Sequence, residues 1–536
     1  MPDRTRSPTR SLFRTVGPIS LATSLSRVLG LVREQVIAGY FGAGVVTDAF
    51  YIAFRIPNLL RDLFAEGALS SAFVPTFTAV REREGPGAAW ALANRVLTSL
   101  ALILGGVTVL IFLFAPQILA VYGIGFDPAK RELAVTMTRI LSPFLLCVGL
   151  AAVAMGMLNA SGRFFVPALA PAWFNVCSIL GVVTLVPVLS RAGLEPGLAL
   201  AIGAIAGGAV QLLVQLPSLH RVGFRFRPAF AWADPGQRRI RRLMLPAIFG
   251  LGATQLNIVV DSSLATLQGD GPVSYLQYAF RMIMLPIGVF GVAIGTANLA
   301  RVSRDVARND TAGLRRGLAS ALRMAAVLTL PSTAGLIALR EPAIALLFER
   351  GRFVAHDTVQ TAAALLCYAL GLYAYSATKI QVPTYYALDD TRRPVIASAV
   401  AVATKIVTSV ALLWLLPRFG VTAFLGLALS TSVAAWTNYV QLALGLRRRL
   451  GSFAEFRVLR TTIVVALVSV VMGVAVHAAY VASLTVAPRG GTAVEASRIG
   501  LLVILGAVLT LVGLGLARVE EGRALIGRLV GRGDRG

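Results

Sequence analysis

Long apolar segments leave this chain few possible folds. They follow one another along nearly all of the 536 residues and are separated by short gaps rich in charge, glycine or proline. Each is about 20 or more residues long, the length at which a helix crosses the roughly 30 Å hydrocarbon core of a bilayer. Only 14% of the residues are charged, too few to cover the surface of a soluble domain. The sequence therefore predicts an all-α polytopic membrane protein with about fourteen transmembrane helices.

The gaps between the predicted spans alternate in charge. The spans cover residues 14–38, 48–80, 92–121, 132–160, 165–190, 197–219, 239–266, 272–300, 312–339, 356–387, 393–416, 420–446, 458–482 and 497–518. Lys and Arg concentrate in every second gap, as they do in cytoplasmic loops. These loops account for the net charge of +25, so nucleic-acid binding is not expected. Because both chain ends belong to the basic set, we expect cytoplasmic N- and C-termini in a bacterial inner membrane.

Three short motifs recur in the same order, at separations of 226, 229 and 230 residues. The recurring pairs begin at Ala53 and Ala279, Gly197 and Gly426, and Val210 and Val440. This spacing predicts a parallel repeat, with two pseudo-symmetric six-helix lobes around a central cavity. The predicted parts are a cytoplasmic tail (1–13), an N-terminal lobe (14–230), a C-terminal lobe (231–450), two further helices (451–519) and a second cytoplasmic tail (520–536).

Charged residues stand out in the first, second and eighth predicted spans. The first span contains Arg27, Arg33 and Glu34, and the eighth contains Arg281. The second span contains Asp48, Arg55, Arg61, Asp62 and Glu66. An arginine at mid-bilayer costs about 2.5–3.5 kcal/mol on insertion scales, so such a residue usually faces a cavity or a partner. Arg27 and Glu34 are seven residues apart and share one helix face, whereas Arg33 lies elsewhere around the helix.

Two interpretations of these charges remain open. In one, the arginines line a water-filled cavity and bind an anion, because guanidinium groups hold phosphate oxygens through paired, charge-assisted hydrogen bonds. Several converging arginines would match a diphosphate. In the other, they form internal salt bridges or extend towards the membrane interface. No His or Cys cluster has metal-ligand spacing, so no metal site is predicted firmly.

The sequence around these charges resembles the MurJ/MviN lipid II flippases of the MOP exporter superfamily. The resemblance covers almost the whole chain and is most specific near the N-terminus. The matching residues are Ser26 to Gly30, Arg33-Glu34, Phe41 to Gly44, Thr47 to Phe50, Pro57 to Arg61, Ala65 to Ala68, Phe73 to Pro75, Tyr278 to Arg281, Leu285 to Val289, Gly295-Thr296, Tyr385 to Leu388, Asp390-Thr391 and Pro394.

This resemblance implies a transporter rather than an enzyme. The substrate would be lipid II, which alternating access would move from the cytoplasmic to the outer leaflet for peptidoglycan synthesis. The implied substrate-binding residues are Arg27, Arg33, Arg61 and Arg281. The implied gating or orienting residues are Glu34, Asp48 and Glu66, although a plain structural salt bridge explains the acids equally well. Beyond lipid II and membrane lipids, the sequence identifies no partner.

Two departures from the family pattern affect the eighth span. Phe280 stands where the family often has an acid, and the segment 298–301 lacks a proline common at that place.

The alternative functions are another exporter of the superfamily, carrying polysaccharide units or drugs, and a membrane enzyme acting on lipid-linked sugars. The exporter would have fewer cavity cations, and the enzyme would need an acid, His or metal cluster near an interface.

The driving force for transport is a separate expectation. No cofactor is implied, but family members are linked to the membrane potential and some to sodium bound in the C-terminal lobe. Asn257 and Asp261 are four residues apart, hence neighbours on one helix face, and they offer oxygen ligands of the kind such cations take. By resemblance, Asp261 sits where some members bind sodium. Lys405, in the middle of the eleventh span, either pairs with Asp261 in place of sodium or joins the phosphate-binding cations.

Overall fold

The computed structural model describes residues 8–62, 69–486 and 490–529, and within these ranges the chain is helical with no strand. The first ten helices are α1 (Pro8–Phe41), α2 (Val45–Arg61), α3 (Ser70–Glu84), α4 (Pro86–Tyr122), α5 (Pro128–Leu141), α6 (Phe144–Ala160), α7 (Phe165–Arg191), α8 (Leu198–Leu213), α9 (Leu216–Arg221) and α10 (Pro235–Thr266). The others are α11 (Pro272–Pro286), α12 (Val292–Ala307), α13 (Thr311–Ala338), α14 (Arg340–Phe348), α15 (Ala355–Ala369), α16 (Leu372–Ala387), α17 (Arg392–Leu415), α18 (Leu425–Leu450), α19 (Val458–Val486), α20 (Thr492–Leu516) and α21 (Glu520–Leu529).

Each of the fourteen predicted spans is occupied by one helix or by two consecutive helices. Among the described residues, nine helical segments are long and apolar enough to cross a membrane, and a tenth forms if α15 and α16, which meet at a 43° bend, count as one span. The other four predicted spans correspond to α1, to α2 with α3, to α10 and to α18, which are shorter or more polar. The all-α polytopic fold that the sequence predicts is therefore confirmed.

The chain divides into two compact units. The first comprises residues 1–274 and Arg350–Phe353, and the second comprises Tyr275–Glu349 and Val354–Gly536. The division falls after Ser274, one helix later than the predicted lobe boundary at residue 230. The reason is that α10 packs against α3 and α4 of the first unit, where Asp234 pairs with Arg95.

Small and aromatic residues set the packing of the first unit. Its helices α7 and α8 approach so closely that a Cβ on Gly181 would lie 2.6 Å from the Cα of Gly203. A separate apolar core joins α3, α4 and α6, with Phe73, Phe77 and Leu104 almost fully buried in it. α1 packs along α7, and α2 packs against α5 and α6, so these helices support the charged residues of α1 and α2.

In the second unit, α11 and α12 form one 36-residue span with a π-helical turn, Ile287–Gly291, in the middle. A π-helical turn inserts an extra residue into the helix and often occurs at functional sites. The turn packs against α16, where a Cβ on Gly291 would lie 3.1 Å from the Cα of Ser376. A buried core between α13, α16 and α18 includes Tyr373 and Tyr385.

Candidate functional site

A buried polar cluster lies where the first turns of α2, α5 and α11 meet. Its centre is Asp48, whose side chain is fully buried. One carboxylate oxygen accepts hydrogen bonds from the backbone N–H and the hydroxyl of Ser274, at 2.9 and 2.6 Å. The other accepts from the backbone N–H of Gly271 at 2.8 Å and from the Lys130 ammonium at 2.9 Å. Asp48 therefore connects the first turn of α2 to the first turn of α11. The helix dipoles of both helices favour a negative charge at this place.

Lys130 is the cation of this cluster and is only 2% exposed. Its ammonium pairs with Asp48 and, at 2.7 Å, with Asp270, and it lies 4.6 Å from the ring centroid of Phe126. A cation in the first turn of a helix is disfavoured by the helix dipole. The two carboxylates offset that cost and the desolvation of the ammonium, so the position of Lys130 depends on both acids.

A second buried carboxylate, Glu34, lies between α1 and α2 and is 1% exposed. It accepts a hydrogen bond from Arg33 Nη2 at 2.7 Å and from the Tyr51 hydroxyl at 2.7 Å. The sequence indicates that Glu34 shares a helix face with Arg27, and the structure adds a hydrogen bond from Arg33 to Glu34. A guanidinium on a long side chain reaches around the helix to the next residue, whereas Arg27 is exposed.

The Arg33 guanidinium has the surroundings expected of an anion-binding group. Its side chain is 13% exposed and lies 5.2 Å from the ring centroid of Phe174 on α7. Its Nε is buried and makes no hydrogen bond to any described residue. A buried N–H without an acceptor is unfavourable, so an oxygen of a bound anion would satisfy it. Glu34 and Phe174 hold the guanidinium in place while leaving this donor available.

The other predicted substrate-binding arginines lie on both units. Arg61, at the end of α2, donates to Asp62 at 2.9 and 3.2 Å, and Asp62 also accepts from Gln255 of α10. Arg27 and Arg61 belong to the first unit, whereas Arg281 is half-buried in α11 of the second. Glu66 lies outside the described residues. Convergence of the four arginines therefore stays a prediction.

The ion-coupling candidates are also divided between the units. Asp261 lies in α10 of the first unit, where it and Arg55 are both within electrostatic reach of the Tyr122 hydroxyl. The side chain of Asn257, one turn earlier, lies outside the described residues. Lys405 lies in α17 of the second unit and is only 3% exposed. One turn further along α17, the buried Ser409 hydroxyl is 2.7 Å from Ser430 of α18. The predicted pairing of Asp261 with Lys405 stays a prediction.

Sequence reasoning missed several residues of these contacts. Lys130 and Asp270 lie in gaps between predicted spans, and Ser274 and Tyr51 are uncharged, so none interrupts an apolar segment. The signal that was available is local: a glycine-rich turn, Gly269 to Gly271, precedes α11, and a lysine follows Pro128 in the first turn of α5.

Comparison with known proteins identifies the family. A family model described as "Lipid II flippase MurJ" matches residues 37–492, most of the chain. This chain belongs to the MurJ family of lipid II flippases. MurJ membership makes it a multi-pass membrane transporter rather than an enzyme, of the kind that serves peptidoglycan synthesis in the bacterial inner membrane. The family predicted from the sequence motifs is confirmed.

Individual MurJ relatives and solved structures agree. The lipid II flippase MurJ of Burkholderia cenocepacia is 38% identical over 445 residues, 82% of this chain and 84% of that protein. The probable lipid II flippase MurJ of Vibrio cholerae is 37% identical over 437 residues, 80% of this chain and 81% of that protein. A solved lipid II flippase MurJ in an inward closed conformation has a TM-score of 0.76 and 27% identity, covering 95% of this chain and 99% of that one. An inward-facing multidrug resistance MATE transporter of the MOP superfamily shares the fold alone. It has a TM-score of 0.65 and 16% identity, covering 80% of this chain and 96% of that one.

Proposed function

We propose that this chain carries lipid II, the undecaprenyl-diphosphate-linked peptidoglycan precursor, from the cytoplasmic to the outer leaflet by alternating access. The observation that carries the proposal is the Arg33 guanidinium, which Glu34 and Phe174 hold inside a membrane helix and whose Nε has no acceptor among the described residues. A diphosphate supplies oxygens of the right charge for that donor. Arg27, Arg61 and Arg281 complete the proposed binding set.

The test is lipid II translocation in reconstituted vesicles. The wild-type protein should move lipid II faster than protein-free vesicles do, and the Arg27→Ala/Arg33→Ala double variant should move none. Arg308→Ala is a matched control, because Arg308 is an exposed arginine at the end of α12. If the double variant is fully active in vesicles and fully supports growth, these arginines do not bind the substrate as proposed. Transport of drugs or other lipid-linked sugars, with none of lipid II, would favour another exporter activity of the superfamily.

The Asp48 cluster is proposed to act as a gate that opens and closes during transport. A movement of α11 would break the hydrogen bonds from Gly271 and Ser274 to Asp48, while the contact of Asp48 with Lys130 could remain. The Thr47 and Ser274 hydroxyl oxygens are 2.9 Å apart, so cysteines at both positions should form a disulfide in a chain whose native cysteines are replaced by alanine. Oxidation should stop transport and reductant should restore it. Equal transport by the oxidised and reduced proteins would leave the cluster as a structural salt bridge.

The orientation of the chain follows from its loops. Because the basic gaps include both chain ends, we place the N- and C-termini in the cytoplasm. A fluorescent protein fused after residue 536 should fluoresce, and alkaline phosphatase fused at the same place should be inactive. The reverse pattern would invert the proposed topology.

Transport coupling is proposed to use the membrane potential, with the Lys405 ammonium replacing a sodium ion. A cation that is only 3% exposed in a membrane helix needs a counter-charge, and Asp261 is the proposed one. Transport should then be independent of sodium in the wild-type protein. If Lys405 instead joins the phosphate-binding cations, its removal should lower lipid II binding without creating a sodium requirement.

A further inference from the structure

A cavity of about 590 Å³ opens at the end of α1, in the first unit. Val32, Gln35, Val36 and Gly39 follow the spacing of one face of α1, and Tyr40 and Phe41 continue the lining around the end of the helix. The lining residues are Val32, Gln35, Val36, Gly39, Tyr40 and Phe41 of α1, Val186 and Ser190 of α7, Pro196, and the turn Arg350–Arg352.

The turn that closes the cavity is held by its backbone. Arg352 N–H donates to the Gly39 carbonyl at 2.9 Å, and the adjacent Phe353 is buried. Gly42 and Gly351 have φ of 67° and 58°, and a Cβ on Gly42 would lie 2.5 Å from the Arg352 carbonyl oxygen. Since main-chain atoms make this contact, the turn does not need the Arg352 guanidinium, which is exposed and makes no hydrogen bond or ion pair to a described residue.

The charge of the lining is one-sided. Arg350 and Arg352 are the charged residues of the lining, and no Asp or Glu is among them. Gln35, Tyr40 and Ser190 add hydrogen-bonding groups. Cations near the last carbonyls of α1 also stabilise the helix dipole, but that role needs no cavity. Two guanidinium groups beside an open volume of this size suit a phosphate-bearing ligand.

Part of the lining is apolar, and it continues onto the surface of α7. Val32, Val36 and Val186 belong to this part, and Val183, one turn before Val186 on the same face of α7, is exposed. In a membrane helix, exposed valines face lipid chains. A ligand with a phosphate group joined to a hydrocarbon chain would therefore satisfy both sides of the cavity at once.

We propose that this cavity binds the phosphate head group of a lipid, with Arg350 and Arg352 pairing with the phosphate oxygens. Two lipids carry this chemistry: a resident phospholipid such as phosphatidylglycerol, and the diphosphate of lipid II after it has crossed. The second source rests on the proposed function, and the first does not.

Native mass spectrometry of the purified full chain tests the proposal, with lipid II, phosphatidylglycerol and phosphate-free diacylglycerol titrated in turn. The Arg350→Gln/Arg352→Gln variant should bind one phosphate lipid about tenfold more weakly, a loss of about 1.4 kcal/mol. Diacylglycerol binding should not change. Arg191→Gln, at the exposed end of α7 outside the cavity lining, is the matched control and should bind as the wild type does.

The lipid whose binding weakens in the Gln variant identifies which of the two lipids occupies the cavity. Weaker lipid II binding marks a site used after translocation, and weaker phosphatidylglycerol binding marks a site for a resident lipid. Wild-type affinity for both lipids in the Gln variant overturns the proposal. If that variant does not fold, Ser190→Trp fills the cavity while keeping both arginines, and unchanged binding there overturns it equally. Vesicles that fail to move lipid II would refute the proposed function, whereas a loss of phosphatidylglycerol binding would still support this site.

Discussion

Replacing Lys130 by Met should destabilise the first unit more than any surface charge change. Met keeps most of the side-chain volume, so the substitution mainly removes the ammonium. It leaves the Asp48 carboxylate fully buried without its counter-charge, while Asp270, which is 57% exposed, returns to solvent. The cost is therefore borne by Asp48.

The expected magnitude follows from the burial of the pair. Removing one partner of a buried ion pair costs about 3–5 kcal/mol, because the remaining charge is uncompensated. Asp48 keeps its three hydrogen bonds from Gly271 and Ser274, which places the cost at the lower end, about 3 kcal/mol. With an unfolding entropy of about 2.1 cal/mol/K per residue, a chain of this length loses about 1 °C in Tm per kcal/mol, or about 3 °C here.

Intrinsic-fluorescence melting in detergent measures this change. Arg95→Met is the control, because the Arg95–Asp234 pair is 36% and 14% exposed and such a partly exposed pair contributes about 0–1 kcal/mol. The Asp48→Asn/Lys130→Met double variant should recover part of the lost stability, since no buried charge is left unpaired. The reasoning is wrong if Lys130→Met melts no lower than Arg95→Met. It is also wrong if the loss of stability in the double variant equals the sum of the losses in Asp48→Asn and Lys130→Met alone.

Three further variants test other contacts. Arg33→Lys keeps the charge beside Glu34 but loses the two-pronged donor, so lipid II transport should fall about 10- to 100-fold, while Arg308→Lys stays at the wild-type rate; equal rates would contradict a phosphate role. Tyr51→Phe removes one hydrogen bond to the buried Glu34 carboxylate, worth about 1.5–3 kcal/mol, and should lower Tm by about 1.5–3 °C in the same melting assay. An unchanged Tm would mean that this hydrogen bond does not stabilise Glu34. Lys405→Ala should make transport depend on sodium, measured in vesicles with sodium or potassium; a wild-type protein that already requires sodium would exclude the pairing with Asp261.

Hydropathy and motifs were sufficient for the fold and the family because both depend on long stretches of local sequence. A span of apolar residues is a helix wherever it lies in the membrane, since no other structure satisfies its backbone there. The motif around Arg33 is specific because many consecutive residues match the family pattern. Side-chain pairing is different: the spacing along α1 says which residues share a face, but it does not show that the long side chain of Arg33 reaches Glu34.

Lys130 shows why the rest of the site was not predictable. In sequence it lies in a gap between two spans, where a lysine is ordinarily solvated. Its burial arises only because Asp48, 82 residues before it, and Asp270, 140 residues after it, are brought to the same helix ends. An acid inside a span signals that it needs a partner, but it does not say which gap supplies the partner. In a membrane protein the cations in short gaps should therefore be considered as partners for the acids that begin neighbouring spans, and Asp48 is such an acid.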